Sequence, residues 1–235
     1  MLKRVHFPTS PLPYFLVAPQ VIITLIFFIW PATQAVYQSF LIEDAFGMST
    51  EFVWFENFVY LATDEIYLDS FGRTIFFSIC VAFLSMFLAL ILAGFADRVI
   101  KGTTTYRTLL IWPYAVAPVL AGALWVFMFN PTLGIFPYLL EFVGVDWNHY
   151  LNGSQAMSLV IIAAAWKQIA YNFLFYLAAM QSIPRSLIDA AAIDGAGPIR
   201  RFFDHIFPMI SPTTFFLLVI NAVYAFFDTF GIIHA

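Results

Sequence analysis

Residues 183–212 read IPRSLIDAAAIDGAGPIRRFFDHIFPMISP, and the rest of the chain is organised around them. The stretch is helical by pattern yet too polar for lipid, and it separates two long apolar runs. Pro184 suits the first turn of a helix, and Gly195 suits the position just past its end. Ile183, Leu187 and Ala191 recur every four residues, with Ile188 and Ala192 beside them, which makes one apolar stripe. Arg185, Ser186 and Asp189 fall on another face, where Arg185 and Asp189 are an i, i+4 pair of opposite charge. After Asp194-Gly195-Ala196-Gly197-Pro198 the pattern restarts. Ile199, Phe202, Phe203 and Ile206 follow i, i+3, i+4, i+7 spacing, opposite Arg200, Arg201, Asp204 and His205. Pro208 and Pro212 mark the expected end of this second piece. The spacing predicts two short amphipathic helices joined by a glycine turn and held outside the bilayer, each about 15 Å long at 1.5 Å per residue. A charged loop with some helix in it is the plainer alternative. Two stripes that both need burial favour a rigid pair docking on a partner.

Composition sets the solvent for everything else. With 62% hydrophobic and 10% charged residues there is too little polar surface to coat a water-soluble globule of 235 residues. Apolar runs exceed the ~18 residues that mark a membrane span. They centre on residues 14–30 (thinning towards 40), 74–96, 106–129, 156–180 and 209–233. The fold expected is all-α: a polytopic transmembrane helical bundle of five spans in one domain, residues 1–235, with the helix pair between spans four and five. The first run follows Lys3 and Arg4, but it is longer than a signal-peptide core and no small-residue cleavage site follows it. It reads as a retained helix, with Pro19 and Pro31 tolerated as kinks. Cys80 is the single cysteine and lies inside a span, which excludes a disulfide framework and a cysteine metal site. The net charge of −4 is segregated by loop and gives no reason to expect nucleic acid as a partner.

Basic residues set the orientation. Lys3 and Arg4 precede span one, Arg98, Lys101 and Arg107 lie between spans two and three, and Arg185, Arg200 and Arg201 lie in the opening stretch. The intervening loops hold only Arg73, at the membrane edge. All the basic clusters therefore share the cytoplasmic side, together with the N-terminus and the helix pair. Residues 41–73 are then external and acidic, with Phe52, Trp54, Phe55, Phe58 and Tyr60 interleaved. Two readings stay open for these aromatics: interfacial anchoring, or a short external helix that helps receive a soluble partner. Asn152-Gly153-Ser154 in the second external loop matches a glycosylation acceptor, a match without meaning if the source is bacterial.

Polar residues inside the spans are costly and therefore informative. Lys167 sits near the middle of span four, where an ionisable group needs a polar interior. Tyr171 shares its face, while Gln168 and Asn172 share another. Asp228 lies towards the external end of span five, with Asn221 and Tyr224 seven and four residues earlier on about the same side. Lys167, Tyr171, Asn172, Asn221, Tyr224 and Asp228 either line a water-filled path, in which Lys167 would attract an anionic phosphate, or join helices by hydrogen bonds and a Lys167–Asp228 pair. Span three adds Pro113 and Pro118 ahead of Ala121-Gly122-Ala123, which suits a moving wall and also simple close packing.

Catalytic signatures are missing from the sequence. There is no Walker phosphate loop, no histidine at metal-ligand spacing among His6, His149, His205 and His234, and no serine in a nucleophile elbow. No catalytic residue, metal ligand or cofactor is expected, and an intramembrane hydrolase is the remote rival.

The opening stretch resembles the coupling loop of the membrane subunits of ABC importers, the binding-protein-dependent transport inner-membrane components. Their pattern is Glu-Ala-Ala, three residues, Gly, nine residues, Ile, one residue, Leu-Pro. Here it falls on Asp189, Ala190 and Ala191, Gly195, His205, Phe207 and Pro208 within residues 183–208. Asp189, His205 and Phe207 depart from it; Ala190, Ala191, Asp194, Gly195, Ala196 and Pro208 keep the core. The stretches PYFLVAPQVIIT, FFIWP, PYAVAP, WKQIAYNFLF, QSIPRSLI and VYAFFDTF are similar to the branch that imports sn-glycerol 3-phosphate. The resemblance implies a permease in the bacterial inner membrane, a homologous second permease, two ATP-binding cassette subunits that bind the ATP, and an external substrate-binding protein. Surrounding lipid completes the set. The cargo implied is sn-glycerol 3-phosphate or a glycerophosphodiester, with a neutral sugar or oligosaccharide as runner-up. Members of the family usually carry six spans, so a sixth, C-terminal span is expected to be missing here.

Overall fold

The computed structural model describes residues 11–44, 46–98 and 103–234. Lys3, Arg4, His6 and Lys101, used above, lie outside those residues. The chain divides into two compact units, Met1–Phe71 and Gly72–Ala235.

The first unit opens with helix α1, Leu12–Gln38, of 27 residues. Within it Leu25–Ile29 forms a π turn, and the Trp30 N–H reaches back five residues to the Leu25 carbonyl. Pro31 follows at once. A proline lacks the N–H for the i−4 carbonyl and its ring collides with it. The widened turn supplies the room, so the span continues through the proline. A hairpin comes next, β1 (Leu41–Glu43) against β2 (Thr50–Phe52), antiparallel with Ile42 opposite Glu51. The Asp44 carboxylate accepts from the backbone N–H groups of Met48 at 2.7 Å and Ser49 at 3.3 Å. Those bonds, the Met48 one foremost, hold it below the usual carboxylate pKa. Helix α2, Glu56–Thr63, is a short helix in this acidic segment, as one of the two open readings has it. Asn57 fastens it to the hairpin by donating to the carbonyls of Ser39 (2.9 Å) and Leu41 (3.0 Å). The aromatic residues pack on one another: the Phe40 ring lies 5.5 Å from Phe58, 5.7 Å from Phe55 and 6.2 Å from Phe52.

Helix α3, Glu65–Arg98, starts in the first unit and continues through the second. Asp64 caps it, accepting from Ile66 N at 2.8 Å and Tyr67 N at 3.1 Å. Its 34 residues extend about 51 Å, beyond the ~30 Å hydrocarbon core. Among the described residues four helices are long and apolar enough to cross a membrane, and the run expected as the third of five spans is instead a sharply bent pair of helices, a broken span or a re-entrant loop. Helix α4 (Thr103–Ala115) and helix α5 (Pro118–Met128) meet at 101°. A short helix α6, Ile135–Glu141, precedes α7, Gly153–Gln181. Asn152 caps α7, its Oδ1 accepting from Ser154 N at 3.1 Å and Ser154 Oγ at 2.8 Å, so the Asn-Gly-Ser triplet serves as a helix start.

Helix α8, Arg185–Ile193, and helix α9, Pro198–Asp228, follow. The sequence predicts a break at Pro208 and Pro212, and the structure corrects this: α9 is continuous, and the second amphipathic piece is its first turns. A second π turn, Phe202–Ile206, ends with Phe207 N–H on the Phe202 carbonyl, immediately before Pro208. The device is the one seen before Pro31. A third π turn, Tyr224–Asp228, closes α9, and α10 (Phe230–Ile233) follows.

Two apolar layers fix how these helices run. One joins Ala89, Ala93 and Ala96 of α3 to Phe173, Tyr176 and Leu177 of α7 and Ile210 and Leu217 of α9. The other joins Phe77 and Val81 to Ala163 and Ala164 and to Tyr224 and Ala225. Late residues of α3 meet late residues of α7 and early residues of α9, so α3 and α7 are parallel and α9 opposes both. Small residues on the buried stripe of α3 (Ala82, Ser85, Ala89, Ala93, Ala96) let backbones approach closely, as lipid gives helices no hydrophobic reason to associate. Tyr106, Ile183 and Phe202 pad the first layer. The basic residues Arg107, Arg185, Arg200 and Arg201, next to them in sequence, therefore gather at that end of the unit.

Candidate functional site

Between the helices of the second unit lies a cavity of about 520 Å3. Tyr114 and Pro118 at the break in span three, Lys167 and Tyr171 of α7, and Tyr224 and Asp228 of α9 line it. Four of the six residues expected on a path therefore converge here. Lys167 and Tyr171 sit four apart on one face of α7. The terminal π turn brings Tyr224 and Asp228 to the same wall. Tyr224 is 9% exposed, and its hydroxyl is buried without a hydrogen-bond partner among the described residues. The Tyr114 and Tyr171 rings lie 5.9 Å apart.

The remaining two, Asn172 and Asn221, do not line it. Both are fully buried and form an interhelical clamp with Ser85. Asn172 Nδ2 donates to Ser85 Oγ and to Asn221 Oδ1, each at 3.1 Å. Asn221 Nδ2 donates to Asn172 Oδ1 at 2.8 Å and to the Leu217 carbonyl at 2.7 Å. Ser85 Oγ donates to Asn221 Oδ1 at 3.1 Å. The clamp ties α3, α7 and α9 together between the two apolar layers. Asn172, expected on the path with Lys167, is drawn into the clamp instead, although Gln168, four residues earlier on the same face of α7, lines the cavity. Asn221, expected beside Tyr224 and Asp228, lies on the buried stripe of α9 formed by Leu217, Asn221, Tyr224 and Ala225, where Ser85 and Asn172 hold it.

Lys167 makes no ion pair with Asp228 among the described residues, contrary to the paired alternative. Its ammonium donates to the carbonyls of Val116 at 2.8 Å and Tyr114 at 3.3 Å, and sits 5.6 Å from the centre of the Tyr114 ring. Asp228 is exposed on the same cavity wall. Tyr114 and Gln168 are site residues that sequence reasoning passed over. Tyr114 was visible only as the residue four before Pro118, whose carbonyl no backbone N–H can reach.

The other candidate element is the turn after α8. Asp194 ends the helix, and Gly195 follows with φ +82°. Gly195 N–H bonds the Ala192 carbonyl at 3.1 Å and Ala196 N–H bonds the Ala191 carbonyl at 3.0 Å, a complete Schellman closure. A Cβ on Gly195 would meet nothing within 4 Å, so its requirement is conformational. Pro184 stands one residue earlier than expected, as the N-cap. Ala191 is buried, whereas Asp189, Ala190 and Asp194 are exposed; Pro208 lies in the first turn of the α9 segment that follows the π turn. Ile193 is 86% exposed and Ile199 75%, while Leu187 and Phe203 are also open. The ion pair in this region is Arg200–Asp204 at 3.1 Å, on the surface, in place of Arg185–Asp189. Four apolar side chains thus stand uncovered around a rigid turn.

Comparison with known proteins gives these features a setting. Residues 115–233 match the model of the family described as "Binding-protein-dependent transport system inner membrane component". The chain is 60% identical over 234 residues to the sn-glycerol-3-phosphate transport system permease protein UgpA of Brucella suis biovar 1 (strain 1330), covering 100% of this chain and 80% of that one. The protein of the same name from Rhizobium meliloti (strain 1021) is 59% identical over the same span and shares. Among solved structures, a crystal structure of a bacterial alginate ABC transporter, in complex with alginate pentasaccharide-bound periplasmic protein, contains a similar chain. It has a TM-score of 0.76 at 22% identity and covers 94% of this chain and 79% of that one, which shows a shared fold. The helical bundle, the family match and the identity across the whole chain have one explanation: the chain belongs to the binding-protein-dependent inner-membrane components of ABC transporters, as a multi-pass, non-catalytic permease subunit.

Proposed function

We propose that this permease passes sn-glycerol 3-phosphate, or a glycerophosphodiester, through the cavity bounded by Tyr114, Lys167, Tyr171, Tyr224 and Asp228. The observation that carries the substrate class is the identity of 60% across the whole chain to a permease named for that cargo. The geometry is compatible with it. Lys167 borders the cavity with its ammonium held by the carbonyls of Val116 and Tyr114. The Tyr224 hydroxyl supplies an unpartnered donor, and Asp228 an acceptor for glycerol hydroxyls. In this reading the cavity is one stage of an alternating-access path, and an external, periplasmic binding protein delivers the cargo.

The helix α8, the Gly195 turn and the first turns of α9 form the coupling element, with Asp189, Ala190, Ala191, Asp194, Gly195, Ala196 and Pro208 as its frame. The uncovered Leu187, Ile193, Ile199 and Phe203 support docking on an ATP-binding cassette subunit. The working assembly would pair this chain with a homologous permease and two such subunits, with the N-terminus and the Arg-rich end cytoplasmic. Closure of the ATP-binding subunits would move α8 as a rigid piece. Because α9 runs unbroken from the turn to the cavity wall, its movement reaches Tyr224 and Asp228 directly.

The test is uptake into proteoliposomes holding the full complex. Transport of sn-glycerol 3-phosphate should be competed by glycerophosphodiesters and left alone by a neutral disaccharide. Asp228→Asn and Tyr224→Phe should raise the KM. Equal competition by the neutral sugar would overturn the substrate assignment, and unchanged KM in both variants would remove the cavity from the path.

A further inference from the structure

A charged side chain inside a span calls for an account of where its hydrogen bonds go. For Lys167 they go to main-chain carbonyls at the one place where a span is interrupted. Helices α4 and α5 meet at 101° around Val116 and Ala117. Pro118 has no N–H, so the Tyr114 carbonyl cannot receive its helical bond. The backbone bonds of the break start again with Ala121 N–H on the Ala117 carbonyl, which passes over Val116. These two carbonyls form the exposed negative end of α4, and both lie within hydrogen-bond distance of Lys167 Nζ. The Tyr114 ring faces the same ammonium. A cation bonded to both orphan carbonyls adds a directional constraint on this angle to the one that packing supplies.

We propose that Lys167 is a positioning residue for transport: its ammonium pins the bend between α4 and α5 and thereby sets the shape of the cavity wall. The pinning rests on contacts within this chain, while its relevance to transport rests on the reading of the cavity as the path. An occupied cavity places cargo beside the pin, so the bend is the part of the wall able to respond to cargo or to movement of α9.

The experiment uses the complete complex in nanodiscs, with spin labels on Leu109 of α4 and Leu124 of α5, which are 69% and 48% exposed. Without cargo, Lys167→Met should broaden and shift the distance distribution across the bend, Lys167→Gln should fall between, and Lys167→Arg should match the parent. In uptake, Lys167→Met should lower kcat about 10-fold or more with KM changed by less than about 3-fold, the pattern of a group that acts through structure rather than by binding cargo. An unchanged distribution in both Met and Gln variants, with KM for sn-glycerol 3-phosphate raised about 10-fold or more, would overturn the proposal and make Lys167 a counter-charge. Should Lys167→Met fail to assemble, the Gln and Arg variants decide by the same two readouts. A shifted distance in Lys167→Met together with normal uptake in Asp228→Asn and Tyr224→Phe would uphold the pin and reject the path.

Discussion

Replacing Asn172 by leucine, which keeps the branched shape and heavy-atom count but is larger, tests what the buried clamp contributes. The substitution removes two bonds donated by Nδ2, to Ser85 and Asn221, and one accepted by Oδ1 from Asn221. Ser85 keeps its bond to Asn221 Oδ1, and one Asn221 N–H keeps the Leu217 carbonyl. The other Asn221 N–H is left buried without a partner. Polar contacts between helices in lipid are worth about 0.6 kcal/mol on average and up to ~1.7 kcal/mol. An orphaned buried donor costs ~1–3 kcal/mol more. Three lost contacts and one orphaned donor should therefore make Asn172→Leu destabilise the bundle by about 3–5 kcal/mol. Changing Asn221 to leucine as well removes the orphan, so the double variant should be less damaged than the sum of the singles by about 1–2 kcal/mol. Equilibrium unfolding in mixed detergent micelles measures all three, with KM for uptake recorded alongside. Additive effects, or a stable Asn172→Leu variant whose KM alone is altered, would refute the clamp and return Asn172 to the path.

Three further outcomes follow from single positions. At Gly195, where φ is +82° and a Cβ would have open space, alanine should cost about 1–2 kcal/mol of turn stability while asparagine, which tolerates this backbone, costs less. Cargo-stimulated ATPase activity of the complex should then rank Gly, Asn, Ala, with Gly195→Asp uncoupled yet inserted; equal activity of Gly and Ala would count against the turn. Gly134→Ala places a Cβ 2.5 Å from the Met128 carbonyl oxygen and 2.6 Å from backbone atoms of Asn130, so it should cost at least ~3 kcal/mol or rearrange the Asn130 turn, read as new protease sensitivity there. Burial lowers the His149 pKa from 6.5, against a smaller opposing effect of the Phe129 carbonyl, and its Nδ1 accepts from Trp147 Nε1. The unfolded chain then takes up the proton first as pH falls, so the contribution of His149 to stability is complete above 6.5 and is lost as pH drops through the lowered folded value. His149→Gln should remove that slope from a melting curve followed between pH 5 and 8.

Much of this molecule is legible in residue order, for reasons that are physical. Long apolar runs locate the spans because lipid leaves the backbone few options. The glycine turn is legible because only a residue free to take positive φ fits after Asp194. Lys167, Tyr171, Tyr224 and Asp228 stand out because polarity in a span is expensive. What escapes is whatever depends on phase or on a partner far away in sequence. The π turns before Pro31 and Pro208 let helices run through prolines that read as kinks or stops. Asn221 reads as one more polar residue of the path, because its clamp partners Ser85 and Asn172 lie far away in sequence. Ser85 hides in an apolar run, since its clamp partners are 87 and 136 residues away. Lys167 is conspicuous, but its target is a main-chain carbonyl, which no side-chain pattern announces.

The most direct test of the account substitutes cysteine at two exposed positions, Ile193→Cys beside the Gly195 turn and Leu151→Cys near the start of α7; the native side chains are 86% and 85% exposed. In the intact complex in sealed vesicles of known orientation, a short bifunctional reagent should cross-link the thiol at position 193 to the ATP-binding subunit, with a yield that changes when nucleotide is added. The thiol at position 151 should react only from the opposite face and never with that subunit. Cross-linking from position 193 to lipid or to nothing, or labelling of both positions from the same side, would contradict the claim that α8 and its turn are where the motor holds the permease.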